Sequence, residues 1–219
     1  YDEATLEADG MLHLGHDLAV LDKPTPTEEV LARDLLPGGT TWINLPGTSP
    51  DLLVDPGSDV DAQFIAEPFL RSRGVDRLSG LVITHPDARH AGGVPTLVPQ
   101  LEPAWIALPV GPFRSPAFTA LVEAVPARNI PIRRWSVGDF IGPWTVLHPA
   151  ETDRFRTADD QALVLAGEVR GLRILFCSDL GRSGQRALLE RHPESLRADV
   201  VIGGVPLEGE PFPESWLEA

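Results

Sequence analysis

His85, Asp87, Arg89 and His90 fall within six consecutive positions, on a run reading Thr84-His85-Pro86-Asp87-Ala88-Arg89-His90-Ala91-Gly92-Gly93. The run follows directly on the apolar residues Leu81, Val82 and Ile83. A short continuous apolar stretch reads as a buried strand, and its abrupt change to polar residues and paired glycines marks the loop at the strand's end. Two imidazoles and a carboxylate on a loop pinned by the strand behind it offer the nitrogen and oxygen donors that divalent metals take. Arg89 is at odds with that chemistry, because a guanidinium stays protonated at any physiological pH and cannot act as a ligand.

Other strand ends carry acids able to converge on this loop. Asp159 and Asp160 precede the apolar stretch beginning at Ala162, and Asp179 follows the stretch ending at Cys177. Asp55 ends a further apolar run just before Pro56 and Gly57, so it is either a turn residue bonded to its own backbone or an acid that supports a site. Functional sites of layered α/β proteins gather beyond strand ends. A divalent ion there would serve as a Lewis acid and as a source of hydroxide near neutral pH, the usual route to ester hydrolysis.

The elements that must position these groups follow from pattern. Residues 40–45 and 51–54 read as a hairpin, and 67–73 as a short helix with Pro68 in its first turn and Gly74 at its end. Strands follow at 105–108 and 130–135, separated by a helix that Ser115 caps and that runs to 127. Residues 144–147 form a strand ending at His148. The segments 162–169 and 172–177 form a hairpin across Arg170 and Gly171, and a helix capped by Ser183 runs to His192. A last buried strand covers 198–202, and 213–218 reads as a final helix. Residues 1–39 read as an acidic, irregular lead-in packed on the main domain of 40–219, with one or two strands and a helix over 27–36. His13 and His16 lie there with nothing nearby to complete a ligand set. Hairpins followed by alternating strands and helices indicate a layered α/β or α+β fold.

Composition sets the limits. A chain of 219 residues with 42% hydrophobic content can bury one full core. A formal net charge of −14 opposes any partner whose affinity comes from neutralising phosphates, so single-stranded DNA could bind only at a local site. The single cysteine, Cys177, excludes an internal disulfide and a multi-cysteine zinc site. No apolar run is long enough to span a bilayer, no signal segment is apparent, and the chain begins at Tyr1, so it reads as part of something longer.

Taken in order, these segments resemble the metallo-β-lactamase family, and more narrowly the metallo-β-lactamase-like domains of the ComEC group of bacterial DNA-uptake channels. Asp51-Leu52-Leu53-Val54-Asp55-Pro56-Gly57 resembles the family's strand ending in an Asp-Gly turn. The Thr84–Gly93 run resembles its ligand signature Thr-His-Pro-Asp-Ala-Asp-His-Gly-Gly. Asp159-Asp160-Gln161-Ala162-Leu163-Val164-Leu165 resembles Asn-Asp-Asn-Ser-Leu-Val-Leu, and Leu175-Phe176-Cys177-Ser178-Asp179 resembles Leu-Leu-Thr-Gly-Asp. The resemblance implies a four-layer αββα sandwich. It implies metal ligands at His85, Asp87, His90, Asp160 and Asp179, supported by Asp55 and Asp159, with Asp87 and Arg89 at the catalytic end.

The chain departs from the family at two ligand positions. Arg89 stands where the family has an aspartate bound to the second metal, and Gly204-Val205-Pro206-Leu207-Glu208 stands where the family has Pro-His-His-Gly-Ser. A two-metal centre is therefore not expected, and the cofactor is one divalent ion, zinc or manganese, or none. Arg89 is expected to take the place of the missing cation by pairing with Asp179, Asp160 or Asp55. The resemblance implies a domain of a larger inner-membrane protein, lying outside the cytoplasm and acting in DNA uptake, with reduced or absent hydrolase activity. An active nuclease that degrades one strand of incoming DNA, and a small-molecule metallohydrolase, are the alternatives.

Overall fold

The computed structural model describes residues 3–6, 12–15, 29–34, 39–44, 51–125 and 129–203, with side chains described from residue 39 onward. The predicted helix over 213–218, the segment 204–208 and His16 lie outside the described residues. One sheet contains β1 (Glu3–Leu6), β2 (Leu12–Gly15), β3 (Glu29–Asp34), β4 (Gly39–Asn44), β5 (Leu52–Val54), β6 (Gly80–Val82), β7 (Ile106–Pro109) and β8 (Ile132–Trp135), in the order β2-β1-β3-β4-β5-β6-β7-β8. A second contains β9 (Phe140–Ile141), β10 (Trp144–His148), β11 (Val164–Val169), β12 (Leu172–Ser178) and β13 (Val200–Gly203), in the order β13-β12-β11-β10-β9.

The strands β5, β6 and β7 run parallel and are buried along their length, as their uninterrupted apolar sequences require. Alternate residues then point to opposite faces. Trp42, Leu53, Leu81, Ile83, Ile106 and Leu108 face one layer of helices, while Ile43, Leu52, Val54, Val82 and Ala107 meet Trp144, Val146, Leu165, Ile174 and Phe176 of the second sheet. The helices on the first sheet are α1 (Asp59–Asp61), a π-type turn (Ala62–Ala66), α2 (Glu67–Ser72), α3 (Val94–Leu101) and α4 (Pro116–Ala124). On the far side of the second sheet, Val164, Leu175 and Cys177 pack against Leu180, Leu188 and Leu196 beneath α5 (Arg182–Arg191). The result is the four-layer αββα sandwich.

Three local expectations are corrected, and one helix was not expected at all. Within the 27–36 segment the described residues Glu29–Asp34 are a strand, not a helix: β3 pairs with β1 on one side and with β4 on the other, and two hydrogen-bonding neighbours outweigh a weak helical preference. The helix expected at 67 begins at Asp59, where Ser58 and Asp61 form a reciprocal capping box. Pro68 causes no break, because the wide turn closes with the Glu67 N–H on the Ala62 carbonyl just before it. The α3 helix is not apparent from sequence because Pro95 and Pro99 read as breakers, yet Pro95 occupies the first turn, where a missing N–H is harmless. Finally, β13 alternates between half-buried and exposed positions, since β12 is its sole sheet neighbour among the described residues.

Candidate metal centre

The site begins where β6 ends. Asp87 closes the loop on itself: its Oδ1 accepts the backbone N–H groups of Arg89 and His90, both at 2.9 Å, and lies 2.8 Å from His90 Nδ1. That contact fixes the His90 ring with Nε2 directed toward Asp179, 3.6 Å away. The glycine pair permits the return. A Cβ on Gly93 would lie 2.3 Å from the Ala62 Cβ, and the Gly93 N–H donates to the Gly57 carbonyl at 2.9 Å. Ser115, the cap of α4, ties its hydroxyl to the Pro86 carbonyl from the other side.

Asp55 supports the loop from the end of β5. Its carboxylate accepts the Thr84 N–H at 2.7 Å and the Thr84 hydroxyl at 2.6 Å. The Thr84 oxygen also lies 2.7 Å from Ser178 Oγ, so the Ser178 hydroxyl donates to it and the ends of β5, β6 and β12 are joined at one side chain. Asp55 and Ser178 both hold positive φ, 54° and 48°, a conformation that costs non-glycine residues energy and clusters at functional sites. The sequence signal for Thr84 and Ser178 was present: each is the hydroxyl residue that ends an apolar strand immediately before a candidate ligand.

The candidate ligands fall into two adjoining sets. In the first, His85 Nε2 lies 3.6 Å from Asp87 Oδ2 and 3.7 Å from Asp159 Oδ1. In the second, Asp179 Oδ2 lies 3.6 Å from His90 Nε2 and 3.9 Å from the Arg89 guanidinium, whose Nε is also 3.7 Å from Asp87 Oδ2. The two imidazole rings lie in contact, tilted by 43° with centroids 3.9 Å apart. His85, His90 and Asp179 each place a donor atom within 4.8 Å of the others.

Asp160 is not brought to this cluster, contrary to expectation. Its Oδ1 accepts the N–H groups of Ser183 and Gly184 at 2.8 and 3.1 Å, and its Oδ2 accepts the Thr157 hydroxyl at 2.8 Å. It therefore caps α5, a role expected of Ser183; the residue in the cap position is Gly181, whose own side is bare. The positions of the two acids are thus reversed, Asp159 facing His85 and Asp160 serving the helix. Arg89 pairs with Asp179 as expected, and with Asp87 rather than with Asp160 or Asp55. His148 is buried, with Nε2 2.8 Å from the Asp160 carbonyl, and holds the acid-bearing turn against β10.

Charge follows the geometry. Burial alone would raise the Asp87 carboxyl, but the histidines beside it outweigh burial and hold it well below the usual carboxylate range. Burial alone would lower His90, but the hydrogen bond to Asp87 and the charges of Asp55, Asp87 and Asp179 push it up to about 9. Burial pushes Asp55 up to about 6, against the opposing His90 charge and the Thr84 hydrogen bonds.

A raised histidine binds its proton more tightly in the folded state, so its contribution is complete below the unfolded value near 6.5 and is lost as pH rises to about 9. Metal-free protein is accordingly expected to lose thermal stability between pH 6.5 and pH 9. A His90→Gln variant, followed by calorimetry across that window, should flatten the slope; an unchanged slope would contradict it.

One divalent ion fits where the two sets meet. His85 Nε2 and Asp179 Oδ1 are buried with no hydrogen-bond partner, an arrangement costly to leave unmet and natural for atoms that hold a cation. His85, His90 and Asp179 would hold it, with Asp87 beside them. A second ion does not fit, because the Arg89 guanidinium already lies between Asp87 and Asp179.

Comparison with known proteins agrees with the architecture. The sequence profile of the metallo-beta-lactamase superfamily matches residues 34–209. ComE operon protein 3 of Bacillus subtilis (strain 168) is 26% identical over 141 residues, which is 63% of this chain but 18% of that protein. Among solved structures, a metallo-beta-lactamase of Cronobacter sakazakii (Enterobacter sakazakii) aligns with TM-score 0.51 and 13% identity, over 80% of this chain and 74% of that one. AidC, a dizinc quorum-quenching lactonase, aligns with TM-score 0.51 and 10% identity, over 83% of this chain and 74% of that one. At such identities the structural matches speak for the fold alone. With the profile spanning most of the chain and the acids and histidines gathered at the strand ends, this protein belongs to the metallo-β-lactamase superfamily.

Proposed function

We propose that this chain is the metallo-β-lactamase-fold domain of a competence-type DNA-uptake protein, outside the cytoplasm, with a metal site reduced to a single ion and hydrolase activity strongly reduced. The observation that carries the reading is the Arg89 guanidinium between Asp87 and Asp179, where its charge opposes a second cation. The similarity to ComE operon protein 3 supports the DNA-uptake setting. The net charge of −14 supports weak retention of a phosphate backbone. Among the described residues no helix is long and apolar enough to cross a membrane.

A bound divalent ion supplies Lewis acidity toward a phosphoryl or carbonyl oxygen. The chain's own residues set what surrounds it. Asp87 orients His90 through Nδ1, Thr84 and Asp55 hold the loop, and Arg89 offers N–H donors to an anionic oxygen arriving from solvent. The unpartnered His85 Nε2 and Asp179 Oδ1 favour a second reading, an active phosphodiesterase that degrades one strand of incoming DNA. Elemental analysis and a nuclease assay with manganese or zinc separate the two. At most one ion per chain, with cleavage no greater than that of Asp87→Ala, supports the reduced domain. Cleavage that Asp87→Ala abolishes overturns it in favour of the nuclease.

A further inference from the structure

Tetrahedral coordination by nitrogen and oxygen at about 2.1 Å sets neighbouring donors about 3.4 Å apart. His85 Nε2 meets that spacing twice, at 3.6 Å to Asp87 Oδ2 and 3.7 Å to Asp159 Oδ1. The nitrogen is fully buried and has no hydrogen-bond partner, whereas the Asp159 side chain is 54% exposed and free to draw in. An imidazole nitrogen at these distances from two carboxylate oxygens is too far from either for a good hydrogen bond.

We propose that Asp159, not Asp160, is a ligating carboxylate, completing with His85, His90 and Asp179 a site for one divalent cation, while Arg89 permanently fills the neighbouring place. The inference rests on the single-ion reading given above and assigns its donor set.

Asp160 is the internal control, since it is adjacent in sequence but committed to α5. Titration calorimetry with zinc and with manganese, on the wild type, Asp159→Asn and Asp160→Asn, tests the assignment. Asp159→Asn is expected to weaken binding at least about tenfold, the scale on which ligand-sphere changes act, and to shift the visible absorption of the cobalt-loaded protein. Asp160→Asn should lower thermal stability while leaving the cobalt spectrum in place. Wild-type affinity and spectrum in Asp159→Asn would overturn the inference. So would a wild type that takes up no ion, which leaves the reduced-domain reading standing. Two ions per wild-type chain would instead overturn that reading and the one-ion stoichiometry together, with the Asp159→Asn comparison still deciding whether Asp159 ligates.

Discussion

Arg89→Asp is expected to raise the affinity of the site for a divalent ion at least about tenfold, a gain of about 1.4 kcal/mol. A guanidinium and a divalent ion roughly 6 Å apart, at an effective dielectric of about 20, repel by about 5 kcal/mol. The Arg89 side chain is 32% exposed, so solvent screens part of this, and a quarter of it suffices for the stated change. Metal-free and metal-loaded forms should respond with opposite signs. Without metal, the variant places a fourth carboxylate beside Asp87, Asp159 and Asp179 and its melting temperature should fall. With saturating zinc it should rise, because stabilisation grows with ligand concentration over Kd. Arg89→Gln removes the cation without adding an anion and should fall between the two. Calorimetry that finds equal affinity in all three proteins would show that Arg89 does not compete with a cation.

The sequence carried the architecture because the hydrophobic pattern did. Continuous apolar runs at β5, β6 and β7 specify which strands are doubly covered, and α4 of the first helical layer follows from its Ser115 cap. The loop from Thr84 to Gly93 was likewise legible, since its residues are local and its chemistry is self-contained. What was not legible is phase. Asp159 and Asp160 lie in a 3-10 turn, where neighbouring side chains point roughly 120° apart, so one can face the pocket only if the other does not. Sequence supplies the pair; the choice is made by α5, whose N-terminal amides need an acceptor and find Asp160. The β3 error has the same origin, a segment whose state is set by neighbours distant in sequence.

That distant contact makes Asp160→Ala the substitution with the largest expected effect on stability, a loss of about 2–4 kcal/mol from a lost helix cap and buried, charge-assisted hydrogen bonds. Three donors converge on its carboxylate, from Thr157, Ser183 and Gly184. The glycines record how closely the helix approaches: a Cβ on Gly181 would lie 2.6 Å from Asp160 Oδ1, and one on Gly184 would lie 2.7 Å from the Asp160 carbonyl. Alanine would leave two amides of α5 and the Thr157 hydroxyl without their acceptor and would remove a negative charge from the positive end of the helix dipole. For a protein of this length the loss corresponds to roughly 5–15 °C in melting temperature. Asparagine keeps an oxygen for the amides and should recover about half of the loss, since a neutral acceptor makes weaker bonds than a charged one. The consequence reaches the metal centre indirectly. Asp179 lies three residues before the start of α5, so a loosened helix lets its carboxylate drift from His90. Ion affinity in Asp160→Ala should therefore fall as temperature approaches the lowered melting point and remain near wild type well below it. Affinity lost at every temperature, with stability unchanged, would make Asp160 a ligand after all.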